Sequence, residues 1–259
     1  MIAGNWKMNL DVHEASLLVK RLNDHIQIHR NIEVVLAPTL LTLQPISQEI
    51  DRRKFKLAAQ NAYFKDEGAF TGEVSFTMLR EIVDYVIVGH SERRIYFNET
   101  LETVRDKVQA AIRNGLVPIL CVGETQHERA QGETRRVIHD QVVTALANLT
   151  PDEVEQVVIA YEPVWAISTF GGELAKPGDI KAVVDQIRYQ VKELYGESVS
   201  ESMRLLYGGS VDDQIAGGYL AVDGIDGCLV GGASLNYKKF AGIVEAAYRL
   251  EKSPEAANG

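Results

Sequence analysis

The sequence predicts a single (β/α)8 barrel, and three observations carry that expectation. Short apolar runs recur along the chain, longer segments with helical spacing separate them, and no linker rich in Pro, Ser or Gly divides it. Each run is apolar at consecutive residues, as in strands buried on both faces, and repeated β–α units imply a parallel sheet with right-handed crossovers. Eight such runs suggest closure. A doubly wound open sheet shows the same alternation, but no GxGxxG follows the first run.

In chain order the expected strands are Ile2 to Gly4, Val34 to Ala37, Phe55 to Ala59, Tyr85 to Val88, Leu116 to Val122, Val157 to Tyr161, Leu205 to Tyr207 and Cys228 to Val230. Helical spacing is clearest at Leu101, Val104, Val108, Ala111 and Ile112, and at Ile180, Val183, Val184, Ile187, Val191 and Leu194. The 259 residues suit one barrel, since such folds commonly reach about 250. Residues 1–250 are therefore assigned to one domain. Residues 251–259 lack apolar periodicity and are expected to fray.

Composition narrows the function classes. With 46% hydrophobic and 24% charged residues the chain is neither collagen-like nor disordered. Its 36 acidic and 27 basic residues leave a net charge of -9, which argues against nucleic acid or an anionic membrane as partner. A small anionic substrate stays open, because surface charges beyond about 8 Å are largely screened at physiological salt. Cys121 and Cys228, the two cysteines, each sit in an apolar run and read as buried free thiols in a reducing compartment. No uncharged apolar stretch approaches the roughly 20 residues of a membrane helix, and the opening residues lack a signal peptide's pattern. The expectation is a soluble, cytoplasmic protein.

In a barrel, chemistry belongs at the C-terminal strand ends. Those positions carry Asn5-Trp6-Lys7, Gln60-Asn61, Gly89-His90-Ser91-Glu92, Glu162-Pro163, Gly208-Gly209-Ser210 and Gly231-Gly232. Singly, each has a structural explanation: Glu162 ends a strand before a proline, His90 starts a helix, Lys7 is a surface charge. Solvated charges would scatter to both ends, whereas these converge on one rim. The two glycine pairs follow the seventh and eighth strands, where barrels often hold phosphate on backbone amides. Metal is disfavoured, since His90 and Glu92 complete no zinc spacing, and neither cysteine has a neighbouring histidine to form a thiolate.

At these residues the chain closely resembles the triosephosphate isomerase family, along nearly its whole length. The matching blocks are Gly4-Asn5-Trp6-Lys7-Met8-Asn9, Ala59-Gln60-Asn61, Gly68-Ala69-Phe70-Thr71-Gly72-Glu73, Val88-Gly89-His90-Ser91-Glu92-Arg93-Arg94, Cys121-Val122-Gly123-Glu124-Thr125, Ala160-Tyr161-Glu162-Pro163-Val164-Trp165-Ala166, Tyr207-Gly208-Gly209-Ser210 and Val230-Gly231-Gly232-Ala233-Ser234. The resemblance implies a TIM barrel that interconverts dihydroxyacetone phosphate and D-glyceraldehyde 3-phosphate in glycolysis and gluconeogenesis, through an enediolate, without cofactor or metal.

The same resemblance implies roles. Glu162 is the base that moves a proton between two substrate carbons, and His90 is the electrophile at the oxygens. Lys7 and Asn5 stabilise developing negative charge. Ser168, Ser210, Gly231 and Gly232 bind substrate with Asn5 and Lys7, while Glu92 supports Lys7 as ion-pair partner and Ser91 opens a short helix behind His90. The types make sense, because a proton beside a carbonyl is weakly acidic and its removal near pH 7 needs a desolvated carboxylate and fixed donors for the enediolate. The family is itself a standard case of pKa tuning, with a neutral histidine at a helix N-terminus. Gly68 to Glu73 becomes the interdigitating loop of a homodimer, with Thr71 reaching the partner's rim near Asn5 and Lys7.

Two stretches depart from the family. The lid, Pro163, Val164, Trp165, Ala166, Ile167, Ser168, Thr169, Phe170, Gly171 and Gly172, keeps its first hinge but then differs and is longer, with Ser168 at a usual glycine. Retained closure with altered opening kinetics is expected. Only Met1 to Gly4 precede Asn5, so a short first strand is expected to leave neighbouring backbone groups unpartnered, as from a trimmed or mis-called start. Two other functions stay open: a barrel that binds sugar phosphate without turnover, and a metal-dependent epimerase or Schiff-base aldolase. An aldolase would want a lysine on the sixth strand, where this chain has Glu162.

Overall fold

Alternate residues of a strand face opposite sides of a sheet, and here the two sets of apolar side chains fill two separate layers. A computed structural model of the chain describes residues 1–28, 30–167, 169–170 and 174–251. Eight parallel strands, β1 (Ile2–Asn5), β2 (Val34–Ala37), β3 (Phe55–Ala59), β4 (Tyr85–Val88), β5 (Val117–Val122), β6 (Val158–Tyr161), β7 (Leu205–Tyr207) and β8 (Gly227–Val230), pair in sequence order and close, with β8 against β1. Ala3, Val35, Ala58, Ile87, Ile119, Ala160, Leu206 and Leu229 fill the barrel's interior. Their strand neighbours, such as Ile2, Leu36, Leu57, Val88 and Leu120, pack outward against the helices.

The helices run α1 (Val12–His25), α2 (Leu40–Glu49), α3 (Phe76–Leu79), α4 (Ser91–Tyr96), α5 (Leu101–Arg113) and α6 (Gln126–Ala130). Then follow α7 (Thr134–Leu146), α8 (Pro151–Val154), α9 (Pro177–Tyr195), α10 (Glu197–Ser202), α11 (Ala216–Leu220) and α12 (Tyr237–Glu251). Local signals explain their starts: Asp11 with Glu14 and Thr125 with Glu128 form capping boxes, and Pro151 and Pro177 stand in the first turns of their helices. Val104, Val108, Ala111 and Ile112 of α5 and Ile180, Val183, Val184, Ile187 and Val191 of α9 pack into the core, whereas Leu101 is half-buried and Leu194 is exposed. Apart from Glu251, the tail lies outside the described residues. Among the described residues no helix is long and apolar enough to cross a membrane.

Two expectations are corrected. Leu116 and Val157 are buried but precede their strands, because their amides close the preceding turns onto Ala111 O and Val154 O. The short first strand does not strand its neighbours: the Met1 amino group donates to Asp226 O at 2.7 Å, Cys228 N donates to Met1 O at 3.1 Å, and Ile2 N donates to Glu33 O at 2.8 Å. Closure of the barrel supplies the partners.

Candidate active site

The ends of β1, β4, β6, β7 and β8 open on one cavity of about 500 Å³, whose lining includes Asn5, Lys7, His90, Glu162, Ser210 and Gly231. Glu162 lies just past β6 and is 2% exposed. Two glycines make room for it: a Cβ on Gly123 would sit 1.7 Å from the Glu162 carbonyl oxygen, and one on Gly208 would sit 2.7 Å from its Cγ. The carboxylate accepts the Ser91 N–H at 3.1 Å through Oε2 and meets His90 Nε2 at 3.0 Å through Oε1.

His90 caps α4. Its Nδ1 accepts the Glu92 N–H at 3.2 Å, which places the imidazole proton on Nε2, the atom that faces Glu162. Burial pushes the Glu162 carboxyl up, but His90, the Ser91 amide and Lys7 together hold it below its ordinary value. Burial lowers the proton affinity of His90, and contact with Glu162 and Glu92 carries it above the usual histidine value. Both shifts belong to the pair in contact.

Lys7 follows β1 in the left-handed region, with φ 52, a conformation that costs a non-glycine residue roughly 1–2 kcal/mol. Three contacts hold it there. Its N–H donates to Asn5 Oδ1 at 3.0 Å, its carbonyl accepts Gln60 Nε2 at 2.9 Å, and its ammonium meets Glu92 at 2.6 Å. Of the glycines expected at the phosphate end, Gly231 lies beside the lysine stem, where a Cβ would make an ordinary contact at 3.5 Å with Lys7 Cε, and Gly232 lines the same cavity. Ser210 points its donors at the lid: its N–H and hydroxyl both reach Ala166 O, at 3.1 and 2.8 Å.

The first half of the lid is packed. Val164–Ala166 forms a 3-10 turn, Pro163 and Ile167 are buried, Thr169 Oγ1 lies 3.5 Å from the Lys7 ammonium, and Phe170 rests on Tyr96 with ring centroids 5.8 Å apart. Ser168, Gly171 and Gly172 lie outside the described residues. Thr71 is exposed on its loop, and Phe70 folds back onto Tyr63.

Three supporting residues went unassigned from sequence. Glu124, fully buried after β5, accepts the Trp165 indole at 2.9 Å and the Tyr161 hydroxyl at 3.2 Å, and burial raises its carboxyl's pKa. Arg94 bridges the ends of β4 and β5 by donating to Gly89 O and Cys121 O. Gln60 ties Lys7 O to Ala37 O. The available signal was position, for Gln60 and Glu124 stand just past strand ends.

Fold and site together define a (β/α)8-barrel enzyme that gathers a carboxylate, an imidazole and an ammonium at one rim, the equipment of proton transfer on a small anionic substrate. A family model described as triosephosphate isomerase matches residues 1–247. The triosephosphate isomerase of Clostridium botulinum (strain Okra / Type B1) is 46% identical over 245 residues, covering 94% of this chain and 98% of that protein. That of Alkaliphilus metalliredigens (strain QYMF) is 45% identical with the same coverage, and that of Clostridium tetani (strain Massachusetts / E88) is 46% identical, covering 94% and 95%. The chain belongs to the triosephosphate isomerase family.

Proposed function

We propose that this isomerase interconverts dihydroxyacetone phosphate and D-glyceraldehyde 3-phosphate, in glycolysis and gluconeogenesis, with Glu162 as the base. The observation that carries the reading is the 3.0 Å contact of Glu162 with His90 in a cavity shared with Lys7. Substrate parts the two. Leaving His90 and the Ser91 amide removes two of the three influences that lower the carboxyl's pKa, so burial weighs more against Lys7 and the base strengthens where it meets the substrate's carbon-bound proton. The His90 Nε2–H then faces the substrate oxygens, with Nδ1 still engaged by Glu92, so a neutral imidazole donates to them. Lys7 and Asn5 meet the developing enediolate charge.

Ser168, Ser210, Gly231 and Gly232 hold the phosphoryl end. Because both Ser210 donors reach Ala166 O, phosphate binding at Ser210 and lid movement are coupled through one carbonyl. Residues 163–172 act as the lid that keeps water from the enediolate. A coupled assay with glyceraldehyde 3-phosphate, with and without chelator, tests the reading. Rapid chelator-insensitive isomerisation is expected; no turnover, or turnover abolished by chelator, overturns it.

The working form is a homodimer. Support comes from apolar side chains around the Gly68 to Glu73 loop: Met8 is 94% and Phe97 63% exposed. A groove lined by Lys7, Met8, Gln60, Glu73 and Phe97 would receive the partner's loop, bringing Thr71 to the rim. Light scattering that found a fully active monomer at assay dilution would refute this. The two buried free thiols favour a cytoplasmic setting.

A further inference from the structure

The lid segment ends where a buried tyrosine takes hold of it. Leu174 is 56% exposed, whereas Ala175, the next residue, is buried, and its carbonyl accepts a hydrogen bond from the Tyr219 hydroxyl at 3.1 Å. Tyr219 projects from α11, itself buried, with its ring against that of Tyr207 on β7 at a centroid distance of 4.3 Å. The donor is therefore fixed by packing before it reaches the chain between lid and α9. At the other end of the segment Glu124 holds the Trp165 indole, and its carbonyl accepts the Val164 N–H at 3.1 Å.

We infer that Tyr219 is a positioning residue for the isomerisation, its hydroxyl fixing the C-terminal hinge of the lid at Ala175. The inference rests on the reading of residues 163–172 as a lid. A longer segment has more conformations to lose on closing, so each residue tethered in advance reduces the entropy that closure must overcome. The tether at Ala175 confines motion to the residues before it and keeps α9 out of the hinge. When closure is incomplete, the enediolate can break its bond to the phosphate oxygen. The electron pair leaves with inorganic phosphate, and the resulting enol tautomerises to 2-oxopropanal. No oxidant or reductant is involved, so this leak reports lid closure directly.

The test is Tyr219→Phe, which keeps the ring and its packing on the Tyr207 ring and removes the hydroxyl. The share of turnovers released as inorganic phosphate and 2-oxopropanal should rise about two- to tenfold, the equilibrium factor of one neutral hydrogen bond. Amides of residues 174–180 should exchange hydrogen faster, while the global melting temperature moves little. A tyrosine that merely packs would change neither, and an unchanged product ratio with unchanged exchange overturns the inference. If wild type shows no isomerisation, the functional reading fails, and the exchange measurement alone still decides the hinge. Should the variant not fold, wild-type exchange with 2-phosphoglycolate decides: protection that stops at residue 174 supports the anchor, and protection running into 176–180 overturns it.

Discussion

Where the strands begin, Arg204 pairs with Glu33 at 2.9 Å and donates to the Tyr85 hydroxyl, while Asp226 accepts Arg188 at 2.9 Å and the Leu205 N–H at 2.7 Å. Where the strands end, Glu162, His90 and Lys7 crowd one cavity, and Lys7 is held in a left-handed backbone to do so. The first set closes the barrel's floor and turns each charge toward a fixed neighbour. The second holds charges beside a space that a ligand can enter, at a cost in backbone strain. Stability and chemistry are thus kept at opposite ends of the same strands, so each can be perturbed alone.

The sharpest way to break that comparison is at the base. Glu162→Gln should lower kcat by roughly two to four orders of magnitude, the span of general-base removal, with the far-ultraviolet circular dichroism spectrum unchanged. Near-normal turnover would remove Glu162 from the mechanism. Lys7→Ala should cost about 10²- to 10³-fold in kcat/KM, the range for losing one donor to a developing oxyanion, with KM raised as well. An unchanged rate and KM would take Lys7 out of the site. At the floor, Arg204→Met should leave kcat/KM as it is and lower the melting temperature by about 2–4 °C, equivalent to about 1 kcal/mol in a chain of this size. If the floor variant lost turnover instead, the separation of the two ends would fail.

The smallest effect sharpens the picture through pH. The folded pKa of Glu162 lies below its unfolded value, so its contribution to stability is present above about pH 4.3 and is lost as pH falls through the folded value. For His90 the folded value lies above the unfolded one, so its contribution is present below about pH 6.5 and is lost as pH rises through the folded value. The melting-temperature difference between wild type and Glu162→Gln should therefore favour wild type most between those limits. A difference that stayed flat across pH would show that the pair is not coupled in the folded state.

Much of the fold was legible because parallel strands buried on both faces leave unbroken apolar runs, and all eight fell within one residue of their observed ends. The long amphipathic helices α5 and α9 were legible by period. Short helices such as α3, α8 and α11 were not, since a single turn leaves too little pattern and depends on caps and packing. In the site, His90, Glu162 and Lys7 could be assembled from strand-end position, and the family blocks supplied expectations of their roles. Arg94 and Tyr219 could not be, and Glu124 offered only its place past the end of β5. In sequence each reads as an ordinary polar or aromatic residue, and only tertiary burial shows that its polar atoms spend themselves on particular backbone or side-chain partners.

Cys121, on β5 in the barrel's interior layer, and Cys228, on β8 in the layer that faces the helices, are both free and enclosed, with their thiols held far toward the protonated form. An alkylating reagent reaches neither while the strands stay paired. The rates at which the two sulfurs become labelled therefore measure how often each of these two layers opens, a clock for spontaneous opening that needs no engineered probe.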